Sequence, residues 1–264
     1  MIVTVGDTEA AWFEVGRGAP VVLIHGLADD HRAWRRVIAP LMLRRRVILY
    51  DLRGHGGSSL GNPAGTLAQL GTDLIGLLDA LEVDQAILAG FSLGGTIAMR
   101  AAIDNPDRVA ALALVATSSR VNSAARDWYL ERAALAEAGE SVELRQTLDR
   151  DTEDVYRRRP AEIPDGVLIR RQSTADPLGY ANACRAMAGL NQESLDDELA
   201  AVDVETVVLA GEDDQHCPPR AGEIIASGIS GSELTVLPGA GHPLPVEFPD
   251  EVATAILGLG EDLG

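Results

Sequence analysis

Lysine is missing from this 264-residue chain; all 22 basic residues are arginine. That absence excludes Schiff-base chemistry and a phosphate-loop ammonium, and with them pyridoxal enzymes and P-loop ATPases. Positive charge is scarce overall. Forty acidic residues against 22 arginines leave a formal net charge of −18, a field that repels nucleic acid and anionic membrane surfaces, so neither is expected as a partner. Solubility or a salty habitat is enough to account for the acidity. Cysteine is almost absent: Cys184 and Cys217 cannot support a disulfide framework for a chain of this size, and Met1–Asp7 carries neither a basic n-region nor an apolar h-region, so a cytoplasmic location is expected. No apolar run approaches the roughly 18 residues that span a bilayer. The histidines at 25, 31, 55, 216 and 242 lack zinc-type spacing, internal repeats are missing, and neither metal nor cofactor is expected.

What remains is ample for a core: 46% of residues are hydrophobic and 27 are glycine, which suits one large domain or one domain with an insertion. The chain is organised around Ala86-Ile87-Leu88-Ala89-Gly90-Phe91-Ser92-Leu93-Gly94-Gly95. An apolar strand runs into a small-residue turn and then a helix expected to begin at Thr96-Ile97-Ala98-Met99. Gly-x-Ser-x-Gly permits a sharp strand-to-helix turn that lifts the serine hydroxyl above the sheet edge, beside the first amides of the helix. Ser92 is therefore the candidate nucleophile.

Upstream, Ile2–Val5 and Ala11–Val15 predict short strands joined at Gly6-Asp7, and Val21–Ile24 predicts a strand buried on both faces. The loop His25-Gly26-Leu27-Ala28 then leaves beside the serine turn, where the backbone N–H of Leu27 can pair with that of Leu93 as an oxyanion hole. His25 itself is assigned to holding the loop. Arg46–Tyr50 predicts the next strand. The glycine-rich stretch Asp51–Ser59 after it lacks the lysine and the immediate helix of a phosphate cradle, so Asp51, Arg53 and His55 are expected to fasten it by hydrogen bonds. Thr66 with Gln69 signals a capping box, and Leu67, Leu70, Leu74, Leu77 and Leu81 recur at helical spacing. With Ala110–Ala116 as a further strand, the alternation argues for a parallel sheet covered on both faces.

From Ser119 to Ala200 no strand is evident. Short helices are expected at Ala124–Ala138, Val142–Arg150, Thr152–Arg158 and Leu178–Gly189, as an inserted helical cap spanning 119–200 between core segments 1–118 and 201–264. Such a cap needs aromatic side chains over the serine, and Trp128 is the candidate pocket residue. The sheet resumes at Glu205–Ala210 and ends in Gly211-Glu212-Asp213-Asp214, either aspartate being placed to orient a histidine. His242 follows the last strand, Glu233–Leu237, on a glycine-rich loop. The chain order Ser, Asp, His, each directly after a strand, makes His242 the candidate base. A final helix is expected over Pro249–Leu257.

His25-Gly26, Asp51-x-Arg53-Gly54-His55-Gly56-x-Ser58, Gly90-Phe91-Ser92-Leu93-Gly94-Gly95, Gly211-x-x-Asp214 and Gly241-His242 stand in the order seen in α/β-hydrolases, which this chain resembles over its whole length. In its core motifs it is most similar to 3-oxoadipate enol-lactonases. The resemblance implies an α/β-hydrolase fold, an eight-stranded, mostly parallel sheet with helices on both faces and an inserted cap. It selects Asp214 over Asp213 and implies acyl transfer by Ser92, His242 and Asp214 without a cofactor. The expected substrate is a small, fairly apolar ester or lactone, with carbon–carbon hydrolysis of ring-cleavage products second and a slow-turnover ligand sensor third. Epoxide hydrolysis and dehalogenation, which in this fold resemble cases with an aspartate nucleophile, are disfavoured.

Overall fold

The computed structural model describes residues 1–139 and 141–260. Its strands are β1 (Ile2–Val5), β2 (Thr8–Gly16), β3 (Pro20–Ile24), β4 (Arg46–Tyr50), β5 (Ala86–Phe91), β6 (Val109–Val115), β7 (Glu205–Gly211) and β8 (Glu233–Leu237). They form one eight-stranded sheet in the order β1-β2-β4-β3-β5-β6-β7-β8. The pairs β1–β2 and β2–β4 are antiparallel, and every later pair is parallel. The first hairpin turns at Gly6, whose φ of +57° suits glycine.

Successive side chains of a strand point to opposite faces, and in the middle of this sheet both faces are apolar. Val22, Ile24, Ile48 and Leu88 enter one core cluster, whereas Val21, Leu23, Val47 and Ile87 enter the other. The helices covering them are α1 (Ile38–Leu41), α2 (Leu67–Ala80), α3 (Leu93–Asp104), α4 (Ser123–Glu137), α5 (Val142–Glu153), α6 (Ile163–Ser173), α7 (Pro177–Gly189), α8 (Pro219–Gly228), α9 (Leu244–Glu247) and α10 (Pro249–Gly258). In α2 the leucine stripe 67, 70, 74, 77 and 78 is buried. The Thr66 hydroxyl accepts the Gln69 N–H at 3.2 Å, but the Gln69 side chain turns back to Asn62 and Ala64, so only half of the expected capping box forms.

Between β6 and β7 the described residues hold α4 to α7 and no strand. The expected helix Thr152–Arg158 is not there: Thr152 and Glu153 finish α5, and Arg159, which precedes Pro160, adopts φ −128° and ψ 63°. A residue before proline is disfavoured in the helical region, and the backbone N–H groups of 157–159 are directed at a carboxylate instead. Helix α6 was not expected; of its eleven residues only Gly166, Ile169 and Ser173 are buried, too few to make an apolar stripe.

These four helices are fastened to the loops leaving β3 and β4. Ser173 Oγ donates to the Ala28 carbonyl, and the Gly56 N–H donates to the Ser173 carbonyl at 2.9 Å. Backbone meets backbone at Gly179 of α7, where a Cβ would lie 1.9 Å from the Gly54 carbonyl oxygen. The inserted helices are thereby held over the carboxyl edge of the sheet. Among the described residues no helix is long and apolar enough to cross a membrane.

Candidate active site

Ser92 sits between the end of β5 and the start of α3 with φ 53° and ψ −119°, a positive φ that a side-chain-bearing residue adopts only when its surroundings enforce it. The enforcement is steric. A Cβ on Gly90 would stand 2.3 Å from the Gly94 carbonyl oxygen, and one on Gly94 would stand 2.2 Å from that of Ile24. Both flanking glycines are therefore required by the tightness of the turn. The helix begins at Leu93, three residues earlier than the apolar pattern suggested.

Ser92 Oγ lies 3.0 Å from His242 Nε2, and His242 Nδ1 lies 2.7 Å from Asp214 Oδ2. The carboxylate accepts at Nδ1, so the ring proton belongs there and Nε2 is left to accept the serine proton. Asp214 Oδ1 takes the N–H groups of His216 (2.8 Å) and Cys217 (3.0 Å). Burial works against ionising Asp214, but the charge of His242 and these hydrogen bonds outweigh it and hold the carboxyl below its ordinary value. Asp213 is exposed and faces an adjoining opening. Another glycine allows the convergence: a Cβ on Gly211 would stand 2.5 Å from the Gly241 carbonyl oxygen, so the loops carrying Asp214 and His242 could not approach with a larger residue.

The loop after β3 runs against the serine, with Gly26 close enough that a Cβ there would lie 3.2 Å from Ser92 Cβ. Leu27 follows and lines the same cavity as Ser92. The Leu93 N–H is the first of α3 and has no acceptor within the helix. A hydroxyl bonded to an imidazole that is held by a carboxylate can attack a carbonyl carbon as the imidazole takes its proton.

A cavity open to solvent on one side lies over Ser92. Leu27, Ala28, Phe91, Ser92 and His242 line it from the sheet side, whereas Trp128 and Tyr129 of α4, Leu148 and Asp151 of α5, Arg170 of α6 and Tyr180 of α7 complete it. Trp128, the aromatic chosen from the sequence, is half-buried there, packed edge-on to Tyr129 and near His216.

The neighbouring polar residues are bonded to the loops and helix around them. His25 Nδ1 meets the Gly26 carbonyl at 2.8 Å and its Nε2 accepts the Leu52 N–H at 2.9 Å. Arg53 is forked onto Asp73 at 2.7 and 2.8 Å, and His55 Nδ1 reaches the Arg53 carbonyl. Asp30, His31 and Asp51 bring ligand-type atoms within 4.8 Å of one another. Those atoms are committed elsewhere: Asp30 to Arg32, and Asp51 to the backbone N–H and ring Nδ1 of His31 and to the Gly57 N–H.

Four site residues were not singled out from the sequence. Asp151 lies in the last turn of α5, beyond the end expected for it, and Arg170 lies on α6, which was not expected. His216 lies 5.3 Å, ring to ring, from His242; crowding and the His242 charge lower it to about 4 although it is exposed at the opening. Glu247, 4% exposed, accepts the N–H groups of Gly241 (2.8 Å), Arg157 (2.5 Å) and Arg158 (2.5 Å). It ties the His242 loop to segment 155–159, and only its place four residues after Pro243 in a buried run marked it.

Residues 19–249 match the family model of the alpha/beta hydrolase fold. The chain is 31% identical to 3-oxoadipate enol-lactonase 1 of Acinetobacter baylyi over 93% of its length and 90% of the relative's. The crystal structure of the enol-lactonase from Burkholderia xenovorans superposes with a TM-score of 0.88 at 26% identity, covering 97% of this chain and 98% of that one. A thermophilic esterase from Thermogutta terrifontis gives 0.86 at 30% identity, over 97% and 96% of the two chains. A family match over most of the chain, a sheet of this order and an enforced turn at the end of its central strand agree: this protein belongs to the α/β-hydrolase family.

Proposed function

We propose that the chain is a serine hydrolase that cleaves a small ester or lactone through an acyl-enzyme. The hydrogen-bond line Asp214–His242–Ser92, at 2.7 and 3.0 Å on the strained turn after β5, carries this reading. His242 takes the hydroxyl proton as Ser92 attacks the carbonyl carbon. The amides of Leu27 and Leu93 receive the oxyanion, and the protonated imidazole then gives its proton to the departing oxygen. Water, deprotonated by the same histidine, releases the acid. Asp214 keeps the imidazole in the tautomer that accepts from serine. Helices α4 to α7, within 119–200, act as a cap that supplies the outer wall and excludes water. The enol-lactonase and esterase relatives support ester or lactone cleavage.

A fluorophosphonate that labels Ser92 stoichiometrically, together with turnover of p-nitrophenyl acetate, tests the proposal. Ser92→Ala is expected to abolish labelling and lower kcat by about 10⁴–10⁶-fold. Labelling without turnover would replace the enzyme by a ligand sensor. Labelling with cleavage of ring-cleavage diketones but not of esters would replace it by a carbon–carbon hydrolase.

A further inference from the structure

Asp29 and Asp151 line the cavity, and Asp154 and Asp213 line the opening beside it; of the lining residues only Arg170 and Arg157 are cationic side chains to set against them. Arg170 is ion-paired, whereas the exposed Arg157 keeps its charge and is bonded to backbone carbonyls. Arg170 Nε lies 3.6 Å from Asp29 Oδ1, with both side chains largely buried. Arg157 Nη1 donates to the carbonyls of Asp154 (2.5 Å) and Tyr156 (3.1 Å). A third arginine, Arg132, stacks on the Trp128 ring at 4.7 Å, but its Nε and Nη2 bind Asp151 at 3.0 and 3.1 Å. The rest of the wall is apolar, with Leu27, Phe91, Tyr129, Leu148, Val155 and Tyr180. A net charge of −18 on the chain adds a long-range field of the same sign.

We propose that the site takes neutral acyl compounds and refuses carboxylated ones, Asp29 and Asp151 being the specificity-determining residues because they occupy Arg170 and Arg132. The inference rests on the hydrolytic reading for its enzymatic assay. A carboxylate on the acyl chain would enter the cavity beside two ion pairs and find no unpaired cation on its wall. Leaving water with no unpaired cation to meet is expected to cost such a carboxylate about 100-fold. Lactones with a free carboxylate are therefore poor substrates, and uncharged ones of the same size are good.

The test compares kcat/KM for p-nitrophenyl butyrate and for the p-nitrophenyl monoester of succinic acid, which differ chiefly in the terminal carboxylate. The neutral ester is expected to lead by about 100-fold, and Asp29→Asn and Asp151→Asn each to shrink that ratio by about tenfold as an arginine is released. Equal use of the two esters, preference for the charged one, or a ratio that neither variant moves overturns the proposal. Inactivity toward both esters would sink the hydrolytic reading instead. The charge question is then decided by calorimetry: binding of succinamide but not succinate supports it, and succinate binding at least as tightly overturns it.

Discussion

Glu247→Gln tests how the imidazole is held in place. The glutamate touches neither Ser92 nor the cavity lining, yet one of its oxygens takes the Gly241 N–H at 2.8 Å and the other takes the N–H groups of Arg157 and Arg158 at 2.5 Å. The bond to Gly241 is buried and those to Arg157 and Arg158 are part-buried, and His242 follows Gly241 directly. A glutamine can present oxygen to only one side. If it keeps the two arginine amides, its NH₂ faces the Gly241 N–H, donor against donor. The loss of a charge-assisted bond and a stranded buried N–H together amount to about 3–5 kcal/mol. In a chain of this length that lowers Tm by about 10 °C. A loop shift of a fraction of an ångström at His242 also misaligns it with Ser92, so kcat should fall about 10–100-fold with KM nearly unchanged. Thermal unfolding by circular dichroism and initial rates on p-nitrophenyl butyrate measure both effects. A variant with Tm within about 1 °C and kcat within about twofold of the parent would refute the reasoning, because a bystander on the surface behaves that way.

Burial, helped by the nearby His25, lowers His55 to about 4 from an ordinary 6.5. A depressed histidine contributes stability above its unfolded value that is lost as pH falls from 6.5 toward 4, about 2 kcal/mol of it between pH 7 and 5. Urea titrations at the two pH values should show a smaller loss for His55→Gln than for the parent; equal losses would remove His55 as the cause. Gly179→Ala places a methyl group 1.9 Å from the Gly54 carbonyl oxygen as the backbone stands, so α7 must lift from the loop after β4. The expected cost is about 1–3 kcal/mol with a fall in ester turnover, read by thermal unfolding and initial rates, and an unchanged Tm would show that the contact yields freely.

The strands were legible because their signal is local. Val21–Ile24, Arg46–Tyr50 and Ala86–Phe91 are apolar runs bounded by turn residues, and the structure places β3, β4 and β5 there. Ser92 and His242 were chosen for a related reason, each following a strand whose end lies on the same edge of a parallel sheet, whereas Asp214 was separated from Asp213 only by the resemblance. Helix α6 was not, since its apolar positions do not repeat with a helical period. Nor was the end of α5, where the attraction of backbone amides to Glu247 overrides the local preference for continuing the helix.

The amino-acid sequence by itself determined the sheet, the strained serine turn and the order of the three polar residues, because periodicity and the steric demands of Gly90 and Gly94 act over a few neighbouring positions. Only the tertiary structure decided the charge of the cavity wall. Whether Arg170 is free or held by Asp29, and Arg132 by Asp151, depends on side chains meeting across helices and loops distant in the chain, and no local pattern records such a meeting.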